Sequence, residues 1–219
     1  MNRENFTLFA RLFSGRQGVL KQRSSKKDIF ENLTEQHLLD QLAIKDSYGI
    51  YLRTEKDTVK VAMFDLDVAN SKLPLSDLLF EIEQIRPQVE AVMGAAEELG
   101  LSKNSYLIEF PGVGYHIWFF FEDEIPASLA ATFLEKVENA ARIGPVVLKP
   151  RQVQISKGSF GEAVWFPLRL NDNSNLHSVF IENWNEFNPA SYDPTPNFQP
   201  LRTVKPIPTA LVNKIINLG

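Results

Sequence analysis

Between Tyr106 and Phe121, two runs of strand-forming residues flank a turn: Tyr106-Leu-Ile-Glu-Phe110, then Pro111-Gly-Val-Gly114, then Tyr115-His-Ile-Trp-Phe-Phe-Phe121. A glycine-containing turn between two such runs predicts a β-hairpin. On the second strand His116, Trp118 and Phe120 share one face, and Tyr115, Ile117, Phe119 and Phe121 share the other. Both faces are apolar, so this strand belongs inside a sheet that is covered on both sides.

The neighbouring strand is expected at Val59-Lys-Val-Ala-Met-Phe-Asp65-Leu-Asp67. Alternation puts Asp65 and Asp67 on one face. Two carboxylates at the end of an apolar strand repel one another, and burying them costs several kcal/mol unless something compensates. A divalent cation does so, and adjacent hard oxygen donors suit Mg²⁺ or Mn²⁺. The bland alternative is a pair of aspartates at an exposed strand end. His116 follows the glycine turn, where it could donate to a phosphate. Glu109, just before that turn, is a further acid or a polar edge residue.

The rest of the chain supplies an α+β frame with a mostly antiparallel sheet. Helical spacing is expected over 4–13, from a Thr34 cap to Leu42, over 75–99 with a break or kink at Pro87, and from Pro126 to about Ile143 with Gly144 as the stop. Residues 14–28 read as a polar loop. Further strands are expected at 48–52, 145–149, 163–170 and 177–182. After Trp184, prolines at 189, 194, 196, 200, 206 and 208 predict an extended tail over the surface, with a short helix near 209–217. One domain over 1–219 is expected, with its core at about 8–184 and the tail from 185.

The chain has 219 residues and is 44% hydrophobic with no cysteine, which excludes disulfides and thiolate zinc sites. No long apolar run or leader-like segment is visible, so a cytoplasmic protein without membrane partners is expected. The net charge of −4 argues against wholesale coating of nucleic acid. Cations nevertheless concentrate in 1–27 (Arg3, Arg11, Arg16, Lys21, Arg23, Lys26, Lys27) and in 142–169 (Arg142, Lys149, Arg151, Lys157, Arg169). Lys157-Gly-Ser-Phe-Gly161 is a candidate anion loop, with Arg151 or Arg169 assisting. Together these features suggest a two-metal-type nucleotidyl or phosphoryl transfer site. A sugar-nucleotide transferase using Asp-X-Asp would need a parallel sheet ahead of the motif, and residues 1–58 offer too few strands.

The ordered series Leu12-Phe-Ser-Gly-Arg16, Tyr48-Gly-Ile-Tyr51, Phe64-Asp-Leu-Asp67, Glu109-Phe-Pro-Gly-Val-Gly-Tyr-His-Ile-Trp118, Lys157-Gly-Ser-Phe-Gly161 and Phe166-Pro-Leu168 resembles the archaeo-eukaryotic primase superfamily. It is most similar to the primase-polymerase domains of conflict systems and CRISPR-associated proteins. The resemblance implies an α/β N-terminal module packed on an RRM-like antiparallel sheet module. It implies Asp65 and Asp67 as metal ligands for Mg²⁺ or Mn²⁺, His116 on the phosphates of the incoming nucleotide, and Lys157 with its glycines in nucleotide binding, where the reading of the residues adds Arg169. The implied activity is synthesis of DNA or RNA from nucleoside triphosphates on a single-stranded or primed template, with helicase, nuclease or other defence or replication proteins as partners.

The chain departs from the family pattern at three points. A serine is usual either where this chain has Pro111 or, two before the histidine, where it has Gly114. The third metal-binding acid falls near Val147 or Val153, leaving Glu182 as the strand acid able to substitute. A cysteine knuckle is absent. These departures raise the alternative of a weakened or inactive module that binds nucleotide or nucleic acid for a partner.

Overall fold

The computed structural model describes residues 2–150 and 159–218. Helix α1 (Arg3–Leu12) opens the chain, with the Asn2 side chain accepting from the Asn5 N–H at 2.9 Å as its N-cap. Strands β1 (Leu20–Gln22) and β2 (Asp28–Ile29) follow as a small hairpin, where a loop was expected. Their composition is too polar to announce a strand. The hairpin is fixed instead by pairing with β3 (Tyr48–Tyr51) and by Asp28, which receives both Lys21 Nζ and the Tyr51 hydroxyl. Helix α2 (Glu35–Leu42) has the expected Thr34 cap. His37 closes a capping box by accepting the Thr34 N–H through Nδ1.

Strand β4 (Thr58–Asp67) leads to α3 (Leu75–Glu98), then to the hairpin of β5 (Tyr106–Phe110) and β6 (Gly114–Pro126). Helix α3 continues through Pro87 instead of breaking there. Pro87 and Glu83, whose carbonyl loses its helical donor, are both on the solvent face, where water can replace that hydrogen bond. Helix α4 (Ala127–Ala141) ends on Arg142 in the left-handed conformation (φ 54°), two residues before the expected Gly144.

Strands β7 (Val147–Lys149), β8 (Ala163–Trp165) and β9 (Val179–Phe180) are shorter than the runs expected from sequence. Pro167, which has no N–H for a ladder, and Leu168 at φ 68° end β8, leaving only a bridge between Leu170 and His177.

All strand pairs are antiparallel. One sheet has the order β2-β1-β3-β8; the other runs β7-β4-β6-β5-β9. Helices α3 and α4 cover one face of the five-stranded sheet, with Phe133 against Phe119 and Phe121. On the opposite face Phe13 packs edge-on to Trp118 and Phe120 and stacks on Phe180, while Phe9 meets Phe166. Burial of these rings contributes roughly 1.5–3 kcal/mol each.

The proline-rich stretch does more than cross the surface. Helices α5 (Gln199–Thr203) and α6 (Thr209–Ile216) bury Leu201, Val212 and Ile215 completely. Ile207, between two prolines, forms a parallel bridge with Phe121: its N–H donates to the Phe120 carbonyl and its carbonyl accepts the Glu122 N–H. The flanking prolines fit because only the middle residue needs a donor. No helix among the described residues is long and apolar enough to cross a membrane.

Candidate active site

Strand register assembles the site. Val147, Asp65, His116, Glu109 and Phe180 form one row across all five strands of the larger sheet. Residues directly opposite in antiparallel strands project from the same face. Asp67 lies two residues along β4, opposite Gly114. One oxygen from each aspartate and a nitrogen of His116 therefore come within 4.8 Å of one another. His116 Nε2 points between them, 3.8 Å from Asp65 Oδ1 and 3.9 Å from Asp67 Oδ1.

The ring of His116 is set by Glu109. Glu109 is 2% exposed, and both its oxygens are engaged. Oε2 takes the His116 Nδ1–H at 2.9 Å and the Trp118 indole N–H at 2.7 Å; Oε1 takes the Ser178 hydroxyl at 2.5 Å. With Nδ1–H held this way, Nε2 is the nitrogen presented to the aspartates. It is a donor to an anion when the ring is charged and a lone-pair ligand when neutral.

Charge and burial pull against each other here. Burial raises the Glu109 carboxyl, but the charge of His116 and the three hydrogen bonds outweigh it and leave it below the ordinary value. Burial lowers His116, yet Glu109, then Asp67 and Asp65, push it up to about 9. Asp67 is pushed up to about 6, first by loss of solvent and then by the nearby carboxylates of Asp65 and Glu109, against the attraction of His116 and Arg169. Arg169 acts on this group by its charge and is itself lowered, chiefly by burial; its guanidinium lies 5.8 Å from the Trp165 ring.

The predicted site residues thus divide. Asp65, Asp67 and His116 come together, and Arg169 acts by its charge on Asp67. Lys157, Arg151 and Val153 lie outside the described residues. Glu182 is a correction: it is exposed beyond β9, accepts from Asn197 Nδ2 at 3.0 Å, and does not join the aspartates among the described residues. Val147 does stand directly opposite Asp65, at the register position expected for a third acid, with no donor to offer. Pro111 serves the turn, its carbonyl accepting from buried Asn171 at 3.0 Å. Sequence reasoning missed the supporting roles of Ser178, Trp118 and Lys149. The alternation of Glu109 with the apolar strand residues around it was the one available signal, since a lone acid in such a run needs partners.

Gly114 has a steric reason. A Cβ there would lie 2.2 Å from the Leu66 carbonyl oxygen and 2.8 Å from Asp67 Oδ1. A side chain at this position, serine included, would force β4 and β6 apart beside Asp67. Gly114→Ala is expected to cost about 1–3 kcal/mol in urea unfolding. An unchanged unfolding midpoint would contradict this packing.

Comparison with known proteins gives the site its context. The family model of the archaeo-eukaryotic primase domain of TOTE conflict systems matches residues 20–215. No curated protein matches the chain. Among solved structures, the AEP domain of the cyanophage S-2L primase-polymerase (PrimPol) is 13% identical, over 93% of this chain and 98% of that one, with a TM-score of 0.45. The extent of the family match places this chain in the archaeo-eukaryotic primase domain family of TOTE conflict systems.

Proposed function

We propose that this protein is a divalent-metal-dependent nucleotidyltransferase of the primase-polymerase kind, extending or starting a strand from nucleoside triphosphates on a single-stranded template. The observation that carries this reading is the convergence of Asp65, Asp67 and His116 within 4.8 Å, on a histidine oriented by buried Glu109. Two carboxylates two residues apart at the end of β4 fit a hard divalent ion such as Mg²⁺ or Mn²⁺. A bound ion would polarise phosphate oxygens and lower the pKa of an attacking hydroxyl.

The protein's own groups do the rest. Asp65 and Asp67 supply the anionic ligands. His116, with Nδ1–H on Glu109, presents Nε2 between the two aspartates, where in its charged form Nε2–H would donate to a triphosphate oxygen brought beside them. Arg169 adds positive charge on the Asp67 side, where it offsets phosphate charge.

Incubation with a primed or unprimed single-stranded template, nucleoside triphosphates and Mg²⁺ or Mn²⁺ is expected to give extended or de novo product. No product with either ion, on DNA or RNA template, would sink the proposal. The register of Val147 opposite Asp65 favours a second reading, a binding module serving a partner. That reading predicts single-strand binding that survives Asp65→Ala, with no turnover in the parent protein.

A further inference from the structure

The two oxygens of Asp65 face different neighbours. Oδ1 looks toward His116, 3.8 Å away, and Oδ2 toward Lys149, whose Nζ is 3.9 Å away. The register explains how the lysine arrives there. Val147 is opposite Asp65 and Lys149 is opposite Met63, so Lys149 projects from the same face one row away. Its side chain is only 12% exposed, and its ammonium also pairs with Glu162, just ahead of β8 in the smaller sheet. A lysine held between two carboxylates on two sheets is not a solvent-facing lysine that swings aside at little cost.

The charge around the aspartates is therefore partly neutralised already. Glu109 is committed to His116, Trp118 and Ser178, leaving Asp65 and Asp67 as the free anionic ligands. They already face His116, Lys149 and Arg169. Two divalent ions would add four positive charges to that set, and β7 contributes only Val147 where a further acid would be needed. We propose that Lys149 is a built-in positive charge of the centre, holding Asp65 Oδ2 so that the site takes one divalent ion and not two. This rests on the reading of Asp65 and Asp67 as metal ligands.

Manganese titration of the full chain without nucleotide, with free Mn²⁺ followed by electron paramagnetic resonance, tests it. The expected result is one Mn²⁺ per parent chain, and binding tighter by on the order of tenfold in Lys149→Gln, because a fixed unit charge beside the ion is gone. Lys149→Met should tighten binding to a similar extent, and Lys149→Arg should leave it unchanged. Melting curves show whether each variant folds; any one folded neutral variant suffices. Two ions in the parent, or a folded neutral variant that binds no more tightly, overturns the proposal. A parent chain that binds no Mn²⁺, matching an Asp65→Asn control, overturns the metal reading itself, so the two failures are distinct.

Discussion

Asp65→Ala and Asp67→Ala are each expected to reduce nucleotide incorporation by about 10³-fold or more, while leaving the fold intact. The size follows from function as a unit: if the two carboxylates hold the catalytic ion, as proposed, removing either one removes most of what the ion would supply. The fold should survive because Asp65 and Asp67 lie at the end of β4, half-buried and exposed respectively, outside the apolar core. Asp67→Ala also removes a carboxylate repelled by Asp65 and Glu109, so its thermal stability without metal should stay level or rise slightly. Primer-extension rates and melting curves measured on the same preparations check both halves. Activity within tenfold of the parent in either variant would remove these residues from the chemistry.

The second large effect is expected at Glu109, and it appears in stability and in pH dependence as well as in rate. Glu109→Ala would strand His116, Trp118 and Ser178 without their shared acceptor and should cost about 3–5 kcal/mol. Glu109→Gln keeps the shape and removes the charge, so it isolates the electrostatic part. In the metal-free parent His116 titrates near 9, above its ordinary 6.5. A raised pKa means that the folded state holds the proton more tightly. The resulting stabilisation is complete below pH 6.5 and is lost as pH rises through 9. Glu109, held below its ordinary 4.5, contributes in the opposite direction: its stabilisation is present above 4.5 and fades as pH falls through the folded value. Asp67, raised to about 6, subtracts from stability as it ionises beside Asp65 and Glu109. The alkaline arm therefore belongs to His116, with Asp65, Asp67 and Arg169 as its other charged neighbours. In Glu109→Gln the His116 resonance should titrate at lower pH by NMR, and the decline in urea midpoint between pH 6.5 and 9 should flatten. An unshifted titration would show that Glu109 does not set the ring's charge.

How much of this was legible beforehand follows from what each element depends on. The β5–β6 hairpin and the Asp65/Asp67 strand carry their information locally, in alternation and turn residues, and both were readable. The meeting of Asp65 with His116 was expected only as a neighbour relation; its row-by-row register needed the sheet. The polar β1–β2 hairpin, the path of α3 through Pro87 and the burial of Ile207 were not readable. The first and last are decided by partners elsewhere in the chain, β3 and β6, and the second by which side of the helix faces solvent. Glu109 stood between these cases. Its placement in an apolar strand was visible, but Ser178 lies on a segment whose approach no local pattern announces.

The five-residue row has a consequence for folding fidelity. A β-strand that slips by one residue turns its whole side-chain set over. Were β6 to slip once against β4, Tyr115 or Ile117 would face Asp65, and His116 with its β5 partner Glu109 would be driven into the layer beneath α3 and α4, away from Asp65, Asp67 and Ser178. Such a state would bury the acid and the imidazole together without those partners, which apolar strands alone would not penalise so heavily. Two aromatic-rich strands could otherwise tolerate several alignments. The ionic row thus works as a proofreading device: the residues argued to do the chemistry also reject misaligned versions of the sheet that carries them.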